Sequence, residues 1–377
     1  LLSIAHSDSN PKIALVLSGG GAKGIAQIPV LELIDSLNIP IDLIIGTSMG
    51  SITGAVYATG HSSDEIKKLA LETNWDIVFS NNKKRENLYF FQKDDYDKYR
   101  ASFNLDGISP IPPIAFTNGH NSYMNINQTM GIYETITDFD DLYIPFRCNA
   151  VDLLSGNEII YKNGSLSKAL RASSSIPSVF SPIQDENLLL VDGGVINNFP
   201  ADIANRLGAD IVIGVNVALN KKDIVDITTV FDVLSQSILL NGFKKRLENI
   251  NYIDILIEPD VLENSTLDFN YDSIKKIYDI GEKAAYNRLD DLLKLKNNLN
   301  INTPNSITLN YIKENIFTLE NISINSNDDI SISEIFKSKL PVVLTKNEFL
   351  NHINTLRKSN KYININYKLY EGVQGYA

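Results

Sequence analysis

Between Pro11 and about Asn300, short apolar runs alternate with stretches whose apolar residues recur at helical spacing. This alternation is typical of a mostly parallel sheet whose strands are connected by helices. The apolar runs predict strands at Lys12–Ser18, Ile41–Ile45, Phe146–Leu153, Glu158–Tyr161, Leu188–Val191, Ile211–Val217 and Ile253–Ile257. The pattern therefore predicts an α/β domain over residues 11–300.

Periodic apolar positions also predict the helices of this domain. Ser62 and Glu65 have the spacing of a capping box, in which each side chain satisfies the backbone N–H of the other, so a helix begins there. Gly60 fits the C-cap of the helix before it, because glycine adopts the left-handed conformation without a steric penalty. Further helices are expected at Ile25–Leu37, Ile52–Ala58, Ala201–Leu207, Ile227–Arg246 and Tyr271–Leu295.

The pattern changes after Asn300. An extended stretch is followed by two helical patterns and then by an alternating strand pattern, at Ile307–Asn325, Ser331–Leu340, Lys346–Lys358 and Lys361–Tyr370. This order predicts a small, separate α+β domain over residues 306–377.

The segment 87–103 is rich in aromatic residues. It is either a lipid-facing lid or part of the core, and core packing is the commoner use of such residues.

Composition and charge narrow the classes of function. The chain is 44% hydrophobic, which is enough for a sizeable core, and its net charge of -11 argues against a nucleic-acid binder. A single cysteine, Cys148, excludes an internal disulfide and a Cys-based zinc site. The four histidines are scattered, so neither a metal nor another cofactor is expected. Residues 1–10 fit either the remnant of a signal peptide or an arbitrary boundary of the sequence.

A glycine-rich turn, Ser18–Gly24, follows the first predicted strand and has the sequence S-G-G-G-A-K-G. It matches G-x-G-x-x-G, but a dinucleotide site also needs an acidic residue at the end of the next strand, and Asp42 precedes its strand. A phosphate-binding P-loop needs Ser or Thr after the lysine, whereas Gly24 follows Lys23. Both phosphate-binding interpretations therefore fail in detail.

The second predicted strand ends in a motif for nucleophilic catalysis. Gly46-Thr47-Ser48-Met49-Gly50 is a G-x-S-x-G sequence between a strand and a helix, which is the context of a nucleophile elbow. Such a turn exposes the serine hydroxyl at a helix N-terminus, and the glycines relieve crowding between strand and helix. A chance match in a glycine-rich turn is the weaker interpretation. We therefore predict Ser48 as the nucleophile.

A serine nucleophile needs a base. After Asp192 the only histidine is His352, which lies in the predicted second domain on a helical pattern and is better explained as a surface residue. Asp192 itself ends an apolar strand and precedes Gly193-Gly194, so it either caps a turn or contacts Ser48 as a general base. Beside a nucleophile elbow, the catalytic interpretation gains weight. The backbone N–H groups around Gly20 and Gly21 would then stabilise the oxyanion of an ester under attack.

The three motifs together resemble those of the patatin-like phospholipases, which carry G-G-G-x-(K/R)-G, G-x-S-x-G and D-G-(A/G) in this order. Similarity extends to Ala169–Ser173, Ile176-Pro177 and Val195–Pro200, and one departure is Gln27, where bacterial members often have histidine. The resemblance implies a three-layer fold and hydrolysis of phospholipid acyl esters. It implies a Ser48–Asp192 dyad, an oxyanion hole from Gly19, Gly20, Gly21 and Gly24, and elbow and turn glycines at Gly46, Gly50, Gly193 and Gly194.

The tail resembles a polypeptide-transport-associated (POTRA) domain that stops before its last strand. A patatin-like domain followed by a POTRA domain resembles the patatin-like autotransporters of Gram-negative bacteria, in which an outer-membrane β-barrel follows. The resemblance implies a location at the cell surface, in the outer membrane or outside the cell, in contact with a membrane surface. A cytoplasmic location follows if residues 1–10 are not a signal remnant. A homodimer is left open, and a catalytically inactive binding or assembly module is the alternative function.

Overall fold

The computed structural model describes residues 11–81, 104–106, 109–111, 114–218, 230–299, 316–319, 341–345 and 348–349. The predicted leader, residues 1–10, lies outside these ranges, as does the aromatic segment 87–103. Most of the predicted tail domain also lies outside them, including the first helical pattern, all of the second except residues 348–349, and the final strand. Those predictions therefore stay predictions.

The strands of the described part of the chain follow the apolar runs of the sequence closely. Each predicted strand of the α/β domain is present, with bounds that differ by at most two residues. The strands are β1 (Ile13–Leu17), β2 (Leu43–Gly46), β3 (Asn104–Asp106), β4 (Ser109–Ile111), β5 (Phe146–Asp152), β6 (Glu158–Tyr161), β7 (Ile183–Asp185), β8 (Leu188–Asp192), β9 (Ile211–Val215), β10 (Ile255–Ile257), β11 (Ile316–Leu319) and β12 (Val342–Thr345).

The central sheet has the order β10-β9-β1-β2-β5-β8-β7, and β6 also pairs with β5. Strands β10, β9, β1, β2 and β5 run parallel to one another. Strands β8 and β6 run antiparallel to β5, and β7 runs antiparallel to β8. The predicted α/β fold with a largely parallel sheet is therefore confirmed. Strands β3 and β4 form a separate antiparallel pair.

The helices of the described part agree with the periodicity less closely than the strands do. They are α1 (Ile28–Leu37), α2 (Met49–Ala58), α3 (Ser63–Glu72), α4 (Trp75–Val78), α5 (His120–Met130), α6 (Leu166–Ser173), α7 (Ala201–Arg206), α8 (Val230–Asn249), α9 (Tyr271–Tyr286) and α10 (Leu289–Asn298). Both hydrogen bonds of the capping box at Ser62 are present. Helices α4, α5 and α6 were not predicted.

The other predicted helices differ from the structure by up to three residues at an end, and two differ in kind. The segment predicted as Ile25–Leu37 begins as a 3₁₀ helix, Gly21–Gln27, and α1 starts only at Ile28, beside Pro29 in its first turn. The predicted helix Tyr271–Leu295 is two helices, α9 and α10. Because buried apolar residues continue at helical spacing on both sides of the break, the pattern gave no sign of it.

Alternate residues of β1 enter two different cores. Ile13, Leu15 and Leu17 belong to the larger core, which also contains apolar residues of α1, α2, α9 and α10. Ala14 and Val16 point to the opposite face, where they pack in a second core with residues of α7. Helices therefore cover both faces of the sheet, as the predicted three-layer arrangement requires.

The tail contributes one antiparallel pair, β11 with β12, to the described residues. Strand β11 lies within the predicted extended stretch Ile307–Asn325. Strand β12 lies between the two predicted helical patterns, where the sequence analysis placed no strand. Its sequence, Val-Val-Leu-Thr, is rich in β-branched residues, which is the local signal for it.

Candidate active site

The ends of three strands bring the predicted motifs together. Strands β1 and β2 are parallel neighbours with Leu17 opposite Gly46, so the turns that follow them lie side by side at the carboxyl edge of the sheet. Strand β5 pairs with Gly46 through Cys148 and with Asp192 through Ala150, two residues further along. The sheet register therefore delivers the glycine-rich turn, the elbow and Asp192 to one place.

Ser48 has the strained backbone of a nucleophile elbow. Its φ is 54° and its ψ is -125°, a combination that is rare for a residue with a side chain. A Cβ added at Gly46 would lie 2.4 Å from the carbonyl oxygen of Gly50, and one added at Gly50 would lie 2.5 Å from that of Leu17, so the turn closes only because both residues lack side chains. The turn is also held by Thr47, whose hydroxyl donates a 2.7 Å hydrogen bond to Oδ1 of Asn149 on β5.

Ser48 and Asp192 are in direct contact. The Ser48 hydroxyl donates a hydrogen bond of 2.6 Å to Oδ2 of Asp192, and both residues are 5% exposed. The other carboxylate oxygen, Oδ1, accepts a 2.7 Å hydrogen bond from the N–H of Gly194. Asp192 thus caps a turn and contacts the serine at the same time, because its two oxygens face different partners.

Burial sets the protonation of Asp192. Desolvation raises the pKa of its carboxyl group to about 6, while the hydrogen bonds from Ser48 and Gly194 and the charge of Arg171 act in the opposite direction. A carboxyl group with a pKa near 6 is a stronger base than an ordinary aspartate and is still largely ionised at neutral pH. The carboxylate is therefore suited to accept the proton of Ser48.

The glycine-rich turn divides into residues that face the serine and residues that do not. Gly20 and Gly21 line the pocket around Ser48, and no residue of the described part of the chain accepts a hydrogen bond from their N–H groups. Gly21 has a φ of +55°, and a Cβ there would lie 2.2 Å from the carbonyl oxygen of Thr266, so only glycine fits. The N–H groups of Gly20 and Gly21 are thus available to an oxyanion.

The other two glycines predicted for the oxyanion hole have different surroundings. The N–H of Gly19 donates to the carbonyl oxygen of Asn198 at 3.0 Å, so it is not available to a substrate. Gly24 lies within the 3₁₀ helix, where its Cα faces Met49. The geometry thus favours Gly20 and Gly21 as donors, while Gly19 and Gly24 permit close packing of the turn.

The pocket at Ser48 has an empty volume of about 770 Å³, including its mouth, and much of its wall is apolar. Apolar side chains come from Ile176, Pro177, Val217 and Phe243. Lys23 also lines the pocket, is only 4% exposed and forms no ion pair within the described residues, and burial lowers the pKa of its ammonium group. An apolar pocket beside the Ser48–Asp192 contact suits an ester with a hydrocarbon chain.

The sequence matches a known family over the part of the chain that builds this site. The family model described as patatin-like phospholipase matches residues 15–205, which is just over half of the 377 residues. The chain belongs to the patatin-like phospholipase family. The matched range includes the glycine-rich turn, the elbow and the turn after Asp192, so the resemblance inferred from these motifs is confirmed at the level of the family.

Individual relatives cover only part of this patatin-like chain. Patatin-like phospholipase domain-containing protein 7 of Rattus norvegicus is 32% identical over 225 residues, which are 59% of this chain and 15% of that protein. Lysophospholipase nte1 of Aspergillus fumigatus is 31% identical over 205 residues, 54% of this chain and 12% of that protein. The crystal structure of VipD from Legionella pneumophila has a TM-score of 0.42 and 15% identity, covering 75% of this chain and 67% of that one.

Several residues of the patatin-like site had no predicted role. The hydroxyl of Ser173, at the end of α6, accepts a 3.0 Å hydrogen bond from the N–H of Ser48. It belongs to the stretch Ala169–Ser173, which carried a family resemblance but no assigned function. Phe243 of α8 and Thr266 reach the pocket from distant parts of the chain, where no local motif marks them.

Two further findings on the patatin-like chain concern metal ligands and membrane-spanning helices. Within the described ranges, no three His, Cys, Asp or Glu side chains cluster as metal ligands do. Within the same ranges, no helix combines the length and the apolar character needed to span a bilayer. His352 lies outside the described residues.

We predict that Asp192→Asn stabilises the protein at neutral pH. The folded pKa of Asp192 is about 6, above the unfolded value, so the folded state binds the extra proton between those two values. The stability that this proton contributes is present at pH 4 and is lost as the pH rises through 6. The asparagine variant should therefore gain roughly 1–3 kcal/mol relative to wild type between pH 4 and pH 7.

Urea unfolding of both proteins from pH 4 to pH 8 measures this difference. Asp260→Asn, which changes an exposed aspartate, is the matched control. If the stability difference between wild type and Asp192→Asn does not vary with pH, the pKa of Asp192 is not raised in the folded protein.

Proposed function

We propose that this chain is a serine hydrolase of lipid acyl esters, of the phospholipase A type, with Ser48 as nucleophile and Asp192 as general base. One observation carries the proposal. The 2.6 Å hydrogen bond from the Ser48 hydroxyl to Asp192 joins a strained elbow serine to a buried carboxylate, at the bottom of an apolar pocket. The chain's membership of the patatin-like phospholipase family supports the same reaction class.

The reaction begins with proton transfer within the dyad. Asp192 accepts the hydroxyl proton as Ser48 Oγ bonds to the ester carbonyl carbon, and the carbonyl π electrons move to its oxygen. The N–H groups of Gly20 and Gly21 donate hydrogen bonds to that oxyanion. Removal of one such donor typically lowers the rate about 100- to 1,000-fold. Collapse of the intermediate breaks the ester C–O bond, and the protonated Asp192 returns its proton to the leaving alcohol.

The second half of the reaction repeats the same roles. Asp192 takes a proton from a water molecule, the resulting hydroxide attacks the acyl-serine, and the fatty acid leaves as Ser48 recovers its proton. The N–H of Gly194 holds the Asp192 carboxylate through its other oxygen, so that Oδ2 faces Ser48. The name of one relative, lysophospholipase nte1, makes single-chain lipids the first substrates to test.

We predict that a fluorophosphonate probe labels Ser48 in the wild type. The label should be absent in Ser48→Ala, and its rate should fall at least 100-fold in Asp192→Asn, because the amide cannot accept the serine proton. Peptide mapping locates the adduct, and fatty-acid release from a lysophospholipid measures turnover of the same variants.

Ser51→Ala is the matched control for this experiment. Its hydroxyl is buried one turn further along α2 and donates only to the carbonyl oxygen of Ser48. It should label at nearly the wild-type rate. A folded wild type that neither labels nor releases fatty acid would contradict the hydrolase and favour the alternative of an inactive binding or assembly module.

We also predict that the labelling rate rises with pH through a midpoint near 6, the pKa of Asp192. Below that pH the carboxyl group is protonated and cannot accept the serine proton, and above it the rate levels off. Labelling rates between pH 4.5 and 8.5, taken at saturating probe, give the midpoint. A flat profile across this range would mean that no group with such a pKa controls the serine.

We further propose that residues 306–377 form a separate POTRA-like domain, after a patatin-like domain of residues 11–300, and that the protein is of the autotransporter subtype, acting on lipid at the cell surface or outer membrane. The antiparallel pair of β11 and β12 is compatible with a small α+β unit. The order of extended, helical, helical and strand patterns in the tail is the main support.

Limited proteolysis tests the division into two domains. We predict that subtilisin, a protease of broad specificity, at low concentration first cleaves between about residues 299 and 306, because linkers between domains are the preferred sites of nicking and no lysine or arginine lies between residues 297 and 312. Mass spectrometry should then identify a stable fragment that starts near residue 11 and retains fluorophosphonate labelling. First cleavage within the α/β domain, with the tail still attached, would contradict this division.

A further inference from the structure

The end of α6 contacts both members of the dyad through the backbone. The hydroxyl of Ser173 accepts a 3.0 Å hydrogen bond from the N–H of Ser48, and the carbonyl oxygen of Ser175 accepts one of 3.0 Å from the N–H of Asp192. Ser173 and Ser175 are both completely buried. A single short segment therefore fixes the backbone of the nucleophile and the backbone of the base relative to each other.

Arg171 lies in the same segment and is almost completely buried, with 1% exposure. Its guanidinium donates to the hydroxyl of Ser175 at 2.5 Å and to the carbonyl oxygen of Gly119 at 3.2 Å. One face lies 4.7 Å from the centre of the Phe180 ring. These partners are neutral, and Arg171 forms no ion pair with any residue that the structure describes.

A buried guanidinium without an ion pair is costly, because its charge loses hydration and the hydrogen bonds to neutral oxygens recover only part of that loss. Burial lowers the pKa of Arg171 to about 10, and the charge of Asp192 opposes that change. Ser175 lies between the two groups, since its hydroxyl contacts Arg171 and its carbonyl oxygen contacts the backbone of Asp192. Arg171 and Asp192 thus carry opposite charges and are linked through one fully buried residue, Ser175.

Other charged groups near the dyad do not replace this interaction. Lys23 and Arg246 line the same pocket from the 3₁₀ helix and from α8. Arg246 is paired with Glu258 at 3.2 Å, and Lys23 forms no ion pair within the described residues. The charge of Arg171 lowers the pKa of the buried Asp192 carboxyl group.

We propose that Arg171, Ser173 and Ser175 form one positioning unit for the dyad, in which the serines hold the backbones of Ser48 and Asp192 and the buried charge of Arg171 keeps Asp192 ionised. The unit acts through the dyad and does not touch the substrate. Burial has two opposing effects on Asp192. It makes the carboxylate a stronger base, but it also favours the protonated form, which cannot accept a proton from Ser48. A nearby fixed cation restores the ionised form at neutral pH.

The first test changes the charge of Arg171 and measures the pH dependence of fluorophosphonate labelling. In Arg171→Met the midpoint should move up by about one pH unit, so that the ratio of the labelling rate at pH 6 to the rate at pH 9 is about five-fold lower than in wild type. Arg171→Lys keeps the charge, and its midpoint should stay within about 0.3 units of wild type. An equal loss of rate at every pH in both variants would show a structural role only and would overturn the proposal.

This inference rests on the proposed function, so a second measurement is independent of activity. The stability difference between wild type and Asp192→Asn, followed from pH 4 to pH 9, reports the titration of the carboxyl group by linkage. When both proteins also carry Arg171→Met, the pH range over which that difference changes should extend upward by about one unit. An unchanged range would overturn the role of Arg171, whether or not the wild type hydrolyses any ester.

The serines are tested by a matched pair in the same segment. Ser173→Ala removes the acceptor for the N–H of Ser48 and should lower kcat about ten-fold with little change in KM. Ser174→Ala is the control, because the Ser174 hydroxyl bonds only to carbonyl oxygens of Leu170 and Arg171. Equal kcat values for the two variants, at matched thermal stability, would remove Ser173 from the unit. This pair also tests the proposal if Arg171→Met does not fold.

Discussion

A hydrogen bond of 2.6 Å between the Ser48 hydroxyl and the Asp192 carboxylate is the contact around which the site is built. It joins residues 144 positions apart, so every element between them must hold its place for the bond to form. The elbow supplies Ser48 with a backbone strained to a φ of 54°, and the buried hydroxyl of Thr47 anchors that turn to β5. Strain of this kind persists only where the surroundings determine it fully.

The electrostatics of the dyad are a balance of opposing effects. Burial makes Asp192 a better base and raises its pKa to about 6, whereas hydrogen bonds from Ser48 and Gly194 and the charge of Arg171 lower it. The same burial destabilises the folded protein at neutral pH, since an ionised carboxylate is held in a site that favours its neutral form. Stability is thus reduced at the residue on which the proposed chemistry depends, which is the pattern seen where active sites trade stability for activity.

The pocket combines a part that the family shares with a part contributed from outside the matched region. The glycine-rich turn, the elbow and the turn after Asp192 lie within residues 15–205. Phe243 and Arg246 of α8, together with Thr266, complete the wall from beyond that range. These later residues face the space that a substrate would occupy.

The sequence by itself determined the α/β class, most strands, the capping box and the motifs that carry Ser48, Asp192 and the glycine-rich turn. Each depends on local rules: alternation of apolar residues, turn residues and fixed short spacing. Only the tertiary structure decided that Gly19 gives its N–H to Asn198 while Gly20 and Gly21 face the pocket, and that Arg171, Ser173 and Ser175 contact the dyad. The tertiary structure also decided that α9 ends at Tyr286, although apolar residues continue at helical spacing beyond it. These features arise from contacts between residues far apart in the chain, which local sequence patterns do not predict.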